Sequence, residues 1–450
     1  MPNVSIIMPL FNAEKYLPEA LQSILNQTYK DYELLCIDDC STDRTRNIVE
    51  AFRERDIRIK ILVNEEHLGA GPSRNKGLKT AKGKYILFLD GDDIFEEELL
   101  EKAGGAMEKY QADLVLFEYL HVPSETIHIK KVMERPEGFD EKYCKSSFSM
   151  SDFEPREFPW WAASPCNKMF RRQFLEENRL EFQNLSSCND VYFAQMALFC
   201  AQRIICLDDR RVMVYARDHS EPQRISNRRD PMCSYYAMEK LCSELKARDM
   251  LGKYAPYLYF RLPAYFRYVL MTQRNEEYKE RFYDFLHKEG VSKCREYGKD
   301  FYGQIDSYDR YLLESFQDNT YDSGWFDNPD TYFQHYLKKN GDRIARFIEN
   351  GISENKKIIL WGVGINGRIL LNYLEEHSIK IFGTVDGDQA KQGTIVGGYE
   401  ITAPAVSIRK ADYIMVTSKQ LFQEVSSAVK NTKVVTVDLL DMLMKERPDS

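Results

Sequence analysis

Short apolar runs alternate with helical patterns along the first 120 residues. The runs are rich in β-branched and aromatic residues, and they predict strands at residues 3–9, 32–38, 58–63, 84–89 and 113–117. Between the first two runs, apolar residues recur on one helix face at Leu17, Ala20, Leu21, Ile24 and Leu25, the spacing that buries a stripe against a sheet. Strands that alternate with helices are typical of a parallel sheet covered by helices, so the pattern predicts an α/β fold.

Further helices are predicted from local signals. Pro18 suits the first turn of the first helix. Ser41 is a favourable N-cap for a second helix, and a third is expected over residues 70–81. Another helical stretch is predicted near residues 189–201.

The pattern of hydrophobic and polar residues changes after residue 230. Residues 231–350 are predominantly helical in pattern and rich in Tyr and Phe. After Gly351, four more strands alternate with helices, at residues 356–362, 379–386, 412–418 and 432–438. We therefore predict three regions, an α/β domain over 1–230, a helical region over 231–350 and a small second α/β domain over 351–450.

Composition narrows the class of protein. The 450 residues are 43% hydrophobic and 29% charged, which is typical of a soluble globular protein. A net charge of -8 argues against a nucleic-acid binder. The sequence predicts no signal peptide, and no apolar run approaches the ~20 residues of a membrane span. Ten cysteines without a CxxC pair indicate reduced thiols and a cytoplasmic location rather than a zinc site.

Acidic residues follow two of the predicted strands. Asp38 and Asp39 end the second strand, and Asp90, Asp92 and Asp93 end the fourth. Ligands of open parallel sheets bind beyond the carboxyl ends of the strands, so both clusters are expected in one crevice. Clustered carboxylates repel one another unless a cation is bound, and Mg²⁺ or Mn²⁺ held by carboxylates and ligand phosphates suits this arrangement. Taken singly, aspartates at strand ends are also common turn formers and helix caps.

The motifs also resemble a known family over roughly residues 1–225. PLFNAEKYLPEALQSILNQTYKDYELLCIDDCSTDRT, followed by NEEHLGAGPSRNKGLKTAKGKYILFLDGDD, is similar to the nucleotide-binding half of glycosyltransferase family 2. The resemblance implies a GT-A fold and transfer of a sugar, with inversion, from a nucleotide-sugar donor to an acceptor hydroxyl. It also implies a uracil nucleotide as the typical donor and bacterial surface glycan synthesis as the setting.

The same resemblance assigns roles to individual residues. It implies that Asp39 accepts a hydrogen bond from the base, and that Asp90 and Asp92 form a DxD pair touching ribose and metal, with Asp93 beside them. The remaining nucleotide-binding residues that it implies are Pro9, Phe11, Asn12, Glu14, Asn64, Gly69, Arg74, Asn75 and Gly77. Small residues before a helix also let backbone approach a phosphate, although such a loop is often just a tight connection.

A sugar hydroxyl needs a general base, because it is a poor nucleophile at neutral pH. The family supplies this carboxylate from a short motif often written ED, and this chain has SSCNDVYFAQMAL at the corresponding place. Asp190 is therefore the predicted base, with Asn189 where Glu is frequent. The alternative is that Asp190 only caps the helix that follows it.

Acceptor and loop residues are less sharply defined by the sequence. Trp160 and Trp161 lie where related enzymes bind acceptors, and they either stack on a sugar ring or belong to the core. Arg217, His219 and Arg224 fall where relatives place a loop over the donor diphosphate, and His219 is also a candidate metal ligand. The expected acceptor is a saccharide or a lipid-linked saccharide, with peripheral association at the inner membrane face. A second copy of the chain is a further candidate partner.

The last region contains a glycine pattern. Gly362, Gly364 and Gly367 fit G-x-G-x-x-G after a predicted strand, and Asp386 follows at the end of the next one. This arrangement predicts a Rossmann-like unit with a second nucleotide site, although a purely structural unit is an alternative. Two other functions stay open, a bifunctional protein that also uses NAD(P) and a non-catalytic sensor of sugar nucleotides.

Overall fold

The computed structural model describes ten ranges of the chain and six single residues. These are 2–123, 146–153, 164–207, 213–218, 230–259, 275–297, 329–404, 408–417, 419–430 and 432–439, with residues 143, 266, 269, 270, 273 and 442. The chain divides into two compact units. One comprises Met1–Leu258 and Thr272–Phe282, and the other comprises Tyr259–Met271 and Tyr283–Ser450. The three regions expected from the sequence stay a prediction.

The first unit is built on two sheets. Its described strands are β1 (Val4–Leu10), β2 (Tyr32–Asp38), β3 (Ile59–Val63), β4 (Tyr85–Phe88), β5 (Ile94–Phe95), β6 (Leu114–Leu116), β7 (Glu118–Pro123), β8 (Lys168–Arg171), β9 (Ile204–Cys206) and β10 (Met213–Asp218). Seven of them form the main sheet in the order β3-β2-β1-β4-β8-β6-β9, and β5, β10 and β7 form a small second sheet. The five strands predicted for the first 120 residues are confirmed.

The main sheet is largely parallel, as the pattern predicted. Strands β1, β2, β3 and β4 run parallel to one another, while β8 runs antiparallel between β4 and β6. Helices pack on the sheet, and the side chains of β2 are buried along its whole length. A strand that is covered on both faces explains the continuous apolar runs in the sequence.

Helices of the first unit follow the predicted order. They are α1 (Leu17–Leu25), α2 (Thr45–Arg53), α3 (Ala70–Thr80), α4 (Leu99–Tyr110), α5 (Arg172–Glu177), α6 (Val191–Cys200) and α7 (Met232–Ala247). In α1 the buried residues are Leu17, Ala20, Leu21 and Ile24, with a proline in the first turn, so the predicted apolar stripe is confirmed. The predicted N-cap at Ser41 is wrong. Helix α2 begins only at Thr45, and the Ser41 hydroxyl accepts a hydrogen bond from the Asn12 amide instead.

The described part of the middle region is mostly helical, as predicted. Its helices beyond α7 are α8 (Leu251–Tyr259), α9 (Glu276–Phe285) and α10 (Val291–Tyr297), with a π-helical turn at Leu286–Gly290, followed by α11 (Pro329–Ser353). No helix in the described ranges is both long enough and apolar enough to cross a membrane.

The second unit contains a sheet of its own. Its remaining elements are β11 (Ile358–Trp361), α12 (Ile365–Glu376), β12 (Gly383–Val385), β13 (Ile395–Val396), β14 (Tyr399–Thr402), β15 (Tyr413–Val416), α13 (Lys419–Val429) and β16 (Val435–Asp438). The strand order is β13-β14-β12-β11-β15-β16, and all neighbours are parallel except β13 and β14. The four strands predicted here are confirmed. The short hairpin of β13 and β14 was not predicted.

Candidate active site

Both acidic clusters lie at the carboxyl edge of the main sheet. Asp38 pairs in register with Leu10 of β1, and the Asp39 amide donates to the Leu10 carbonyl at 2.8 Å. Strand β4 ends at Phe88, which pairs with Ile7 of β1, and the DGDD run follows directly. Only β1 separates the two strand ends, so the structure brings the clusters to the same edge, where open parallel sheets bind ligands.

Asp39 is held by the segment that leads into α3. Its carboxylate accepts hydrogen bonds from Asn64 Nδ2 at 2.6 Å, from the Leu68 amide at 2.9 Å and from the Gly69 amide at 2.7 Å. His67 Nδ1 lies 2.8 Å from the same carboxylate. Asp39 is only 2% exposed. Its carboxylate therefore fixes the loop before α3 through the amides of Leu68 and Gly69.

The opening loop after β1 is tied to the loop after β2. Asn12 has a left-handed φ of 49°, and its Oδ1 accepts a hydrogen bond from the Thr42 amide at 2.8 Å. The Glu14 carboxylate accepts from the Arg44 amide at 3.0 Å and from Arg44 Nε at 3.1 Å, and these contacts lower the pKa of Glu14. Pro9 is the penultimate residue of β1, and the Phe11 side chain remains well exposed at this mouth.

Helix α3 carries three residues that the family resemblance placed near the ribose and diphosphate. Asn75 pairs with the backbone of Phe182 through two hydrogen bonds of 2.8 Å, one donated and one accepted. Gly77 packs against β1, since a Cβ there would lie 2.5 Å from Ile7 Cγ2. These two residues therefore contact protein and set the position of α3. Their nucleotide role stays a prediction.

Arg74, the third of these residues, joins the donor side of the site to the predicted base. Its Nη2 donates to Asp90 Oδ1 at 2.8 Å, and its Nη1 donates to Asn189 Oδ1 at 3.0 Å. Burial alone lowers the pKa of Arg74, but the neighbouring charges of Asp90 and Asp190 outweigh it and the pKa is raised. One guanidinium thus holds the DGDD run beside Asn189 and Asp190. Asn189 follows Arg74 by 115 positions in the sequence.

Asp190 occupies the N-cap position of α6 without capping it. Its side chain forms no capping hydrogen bond to the described backbone, which does not favour the simple helix-cap alternative. The surrounding protein removes water from the carboxyl and raises the pKa of Asp190, while Arg74 and Lys168 oppose that rise. Burial raises the pKa of this carboxyl, so its carboxylate form binds a proton more strongly, as a general base requires.

Lys168 is a buried cation beside this cluster that the sequence analysis missed. It is 0% exposed, its Nζ donates to the Ser164 carbonyl and to Asn167 Oδ1, the latter at 2.7 Å, and burial lowers its pKa to about 7. The sequence gives no local sign of this burial, because Lys168 stands between the polar Asn167 and Met169 at the start of the strand KMFR. A lysine buried next to Asp190 tunes the charge of that carboxylate.

A cluster of three aromatic rings links the end of β4 to the first turn of α6. Phe88, the last residue of β4, has its ring centroid 4.9 Å from that of Phe182 and 5.4 Å from that of Phe193. The rings of Phe182 and Phe193 are stacked at 4.0 Å. Because Phe88 precedes the DGDD run and Phe193 lies one turn into α6, this packing fixes the strand end relative to Asp190.

The DGDD carboxylates can contribute to a metal site but do not complete one. Asp90 and Asp92 are partly exposed, whereas Asp93 is 3% exposed. Within the described residues, no three His, Cys, Asp or Glu side chains are grouped so that they could hold a metal ion. Mg²⁺ and Mn²⁺ are commonly held by one or two carboxylates together with substrate phosphates, so the residues present fit an ion that arrives with a diphosphate.

Several predicted residues cannot be placed. Trp160, Trp161, His219 and Arg224 lie outside the described residues. Arg217 belongs to β10, and its side chain also lies outside the description. Their assigned roles in acceptor, metal and diphosphate binding stay predictions.

The glycine pattern of the second unit is largely explained by packing. Gly362 has a φ of 92°, and a Cβ at Gly367 would lie 2.2 Å from the Gly362 carbonyl oxygen. The Asp386 carboxylate accepts a hydrogen bond from the Val363 amide at 2.9 Å. At Gly364, by contrast, a Cβ would meet no described atom within 4 Å. Two of the glycines and the aspartate thus hold the loop together, and the second nucleotide site stays a prediction.

We expect Gly71→Ala to lower turnover by moving the Asp190 segment. A Cβ at Gly71 would lie 2.2 Å from the Gln183 carbonyl oxygen and 3.1 Å from Asn189 Cβ. The added Cβ would collide with this backbone oxygen, so one of the two segments must move. Overpacking of this kind typically lowers the free energy of unfolding by about 1–3 kcal/mol. Urea unfolding and steady-state rates measure the two effects. Gly105→Ala is the matched control, because a Cβ there meets no described atom within 4 Å and alanine favours the helix. Equal behaviour of the two variants would contradict the assigned packing.

Comparisons with known proteins agree with this geometry. Residues 5–179 match the model of the family described as Glycosyl transferase family 2, and residues 354–437 match the model described as C2185-like, N-terminal. The crystal structure of Staphylococcus aureus TarS 1–349 in complex with UDP matches with a TM-score of 0.55 at 24% identity, over 70% of this chain and 87% of that one. The predicted GT-A fold is therefore confirmed.

The curated relatives are named as glycosyltransferases. Glycosyltransferase GlyG of Streptococcus pneumoniae is 28% identical over 48% of this chain and 72% of its own length. The putative teichuronic acid biosynthesis glycosyltransferase TuaG of Bacillus subtilis is 43% identical over 22% of this chain and 40% of its own. TarS, a poly(ribitol-phosphate) beta-N-acetylglucosaminyltransferase, is 28% identical over 56% of this chain and 42% of its own. The chain thus spans less than half the length of TuaG and TarS.

The fold and the matched region define an enzyme of the glycosyltransferase class. The domain that carries this class is the first α/β unit, since the match to Glycosyl transferase family 2 ends at residue 179 and includes both acidic clusters.

Proposed function

We propose that the protein transfers a sugar from a UDP-sugar to an acceptor hydroxyl, with inversion and with the help of a divalent metal. The observation that carries this proposal is the bridge made by Arg74, which holds Asp90 at 2.8 Å and Asn189 at 3.0 Å. Arg74 thereby joins the acidic run after β4, which suits a metal-bound diphosphate, to Asn189. Asn189 is the neighbour of the proposed base, Asp190. Donor and acceptor chemistry then meet at one edge of the sheet.

The donor is bound by the carboxyl edge of the main sheet. Asp39 accepts a hydrogen bond from the uracil base, and the exposed Phe11 ring at the end of β1 covers the base. TarS, whose sequence is 28% identical over the aligned region, has been crystallised with UDP, which supports a uracil nucleotide. Asp90 and Asp92 would hold a divalent metal together with the diphosphate, and the bound metal would stabilise the negative charge that grows on the leaving diphosphate.

Asp190 acts on the acceptor. The acceptor oxygen attacks the anomeric carbon, the bond from that carbon to the diphosphate breaks, and the Asp190 carboxylate takes the hydroxyl proton. A single displacement of this kind inverts the anomeric configuration, whereas a covalent double displacement would need a second carboxylate on the other face of the donor sugar. The raised pKa of Asp190 strengthens its carboxylate as a base toward the acceptor hydroxyl.

The acceptor is proposed to be a growing surface glycan, free or lipid-linked, at the inner face of the bacterial membrane. TuaG is named for teichuronic acid biosynthesis and TarS for poly(ribitol-phosphate), both of which are surface polymers. A cytoplasmic location, with peripheral contact to the membrane, follows from this proposal. Association with a second copy of the chain stays a prediction.

The second unit is proposed to be a reduced Rossmann-like domain. Its parallel strands, numbered along the chain, lie in the order third, second, first, fourth and fifth, which is the order of dinucleotide-binding folds. The described connection from β12 to β14 contains the β13 hairpin strand instead of a helix, a departure from those folds. Fluorescence titration with NADH and NADPH distinguishes a ligand-binding unit from a structural one.

A donor screen tests the proposed function. Purified protein is incubated with UDP-, GDP- and dTDP-sugars, with Mn²⁺ or with EDTA, and released nucleoside diphosphate is measured. We expect slow Mn²⁺-dependent release from one UDP-sugar, accelerated by a saccharide acceptor. Binding of a UDP-sugar without turnover across a broad acceptor panel would instead identify a sensor of sugar nucleotides.

A further inference from the structure

A histidine ring lies where the proposed function places the nucleotide base. The imidazole of His67 is stacked on the Phe11 ring, with centroids 4.0 Å apart and an angle of 27° between the planes. Its Nδ1 lies 2.8 Å from Asp39 Oδ2 and 3.3 Å from the Asp39 carbonyl oxygen. Both neighbours of Nδ1 accept hydrogen bonds, so Nδ1 carries a proton and donates it.

The contacts of this imidazole are those expected of a nucleobase. A uracil ring bound at this edge presents an N–H group to Asp39 and one face to Phe11. The His67 ring occupies the same place, with Nδ1 2.8 Å from the carboxylate and one face on the aromatic ring. Two planar rings cannot use the same face of Phe11 and the same carboxylate oxygen at once.

The Asp39 carboxylate has no spare place for a base while His67 is bound. A carboxylate offers about four acceptor positions. Asp39 already accepts hydrogen bonds from Asn64 Nδ2 and from the amides of Leu68 and Gly69, and His67 Nδ1 lies 2.8 Å from its Oδ2, where it blocks the approach of another donor. Asn64 is 2% exposed, and the two amides belong to the backbone that leads into α3. The His67 side chain is 49% exposed, so it is the partner that can leave with the smallest rearrangement.

We infer that His67 occupies the base position in the nucleotide-free protein and is displaced when the donor binds. This inference rests on the proposed function, because it takes Asp39 and Phe11 as the base site. His67 is then a residue that sets donor affinity and selectivity, since every incoming base must replace its bond to Asp39. The affinity for a ligand is reduced by the fraction of protein in which the site is closed.

The test compares UDP affinity in the wild type and in His67→Ala by titration calorimetry with Mn²⁺. We expect the substitution to tighten UDP binding by about 3- to 10-fold, the effect of removing one competing charge-assisted or neutral hydrogen bond at a half-exposed site. His377→Ala is the matched control, because His377 is stacked on Tyr373 at 4.1 Å in the second unit and takes no part in the site. Its UDP affinity should equal that of the wild type.

A second measurement follows the ring itself. The Phe11 ring current shifts the His67 ring-proton resonances in the NMR spectrum, and comparison with His67→Ala assigns them. Saturation with UDP should move these resonances toward the positions of a solvent-exposed histidine. Unchanged resonances at saturation, or UDP binding that is equal or weaker in His67→Ala, would overturn the inference while leaving the donor site in place. Absence of nucleotide binding in every variant would overturn the donor site itself, and the inference with it.

Discussion

Asp190→Asn is expected to lower the rate of sugar transfer by about 10²–10⁴-fold, the usual contribution of a general base. The amide has the shape of the carboxylate but cannot take the acceptor proton. UDP affinity should stay near the wild-type value, because Asp190, at the start of α6, is proposed to contact the acceptor, whereas Asp39 and the DGDD run are proposed to hold the nucleotide. Steady-state rates and calorimetric titration with UDP measure the two quantities separately.

The pH dependence of the wild type supplies an internal check. The surrounding protein raises the pKa of Asp190 above its ordinary value. As the pH falls through this raised pKa, the carboxylate becomes protonated and the rate should fall, whereas Asp190→Asn should lack this limb. Asp284→Asn is the matched control, because Asp284 is an exposed helical residue whose carboxylate pairs with Lys288, four positions later, at 3.0 Å. An unchanged rate in Asp190→Asn would place the base elsewhere.

Asp92→Ala is expected to abolish the stimulation of transfer by Mn²⁺ and to lower activity by about 10²–10³-fold, as loss of one charge-stabilising group does in other enzymes. The partly exposed Asp92 follows β4 at the edge where the diphosphate is proposed to bind. Its removal weakens the metal's hold on the leaving diphosphate. Rates measured across a Mn²⁺ titration show the effect.

The second unit provides a control with the same local sequence. Asp386, Gly387 and Asp388 repeat the D-G-D pattern after β12, and the Asp388 side chain is 49% exposed. Asp388→Ala should therefore retain full activity and full metal dependence. If Asp92→Ala behaves in the same way, the metal assignment at β4 fails.

Much of the fold could be predicted because it depends on local patterns. Buried parallel strands appear as apolar runs, and the α1 stripe from Leu17 to Ile24 shows in the spacing of its residues. The pairing of strands is different. Strand β8 lies antiparallel between β4 and β6 although it follows them by more than fifty residues, and nothing within KMFR specifies those partners. The N-cap at Ser41 failed because its hydroxyl is taken by Asn12, across the mouth of the sheet.

The candidate site also has a part that the sequence predicts and a part that only the folded chain shows. The acidic clusters were predictable, since the carboxyl ends of parallel strands share one edge. Arg74 was predicted only as a nucleotide-binding residue, and its hydrogen bonds to Asp90 and Asn189 are visible only in the folded chain. That bridge depends on the packing of α3 against a segment more than a hundred residues later. Lys168 was missed for the same reason, because its burial beside Asp190 arises only in the folded chain.

The central claim is that the edge of the main sheet holds a metal-bound nucleoside diphosphate between Asp39 and the DGDD run. A crystal structure of the protein grown with UDP and Mn²⁺, with anomalous scattering recorded for manganese, tests it most directly. We expect a manganese peak at Asp92 or Asp90, with the uracil ring against Asp39 and Phe11. A manganese peak away from β4, or UDP bound in the second unit with this edge empty, would contradict it.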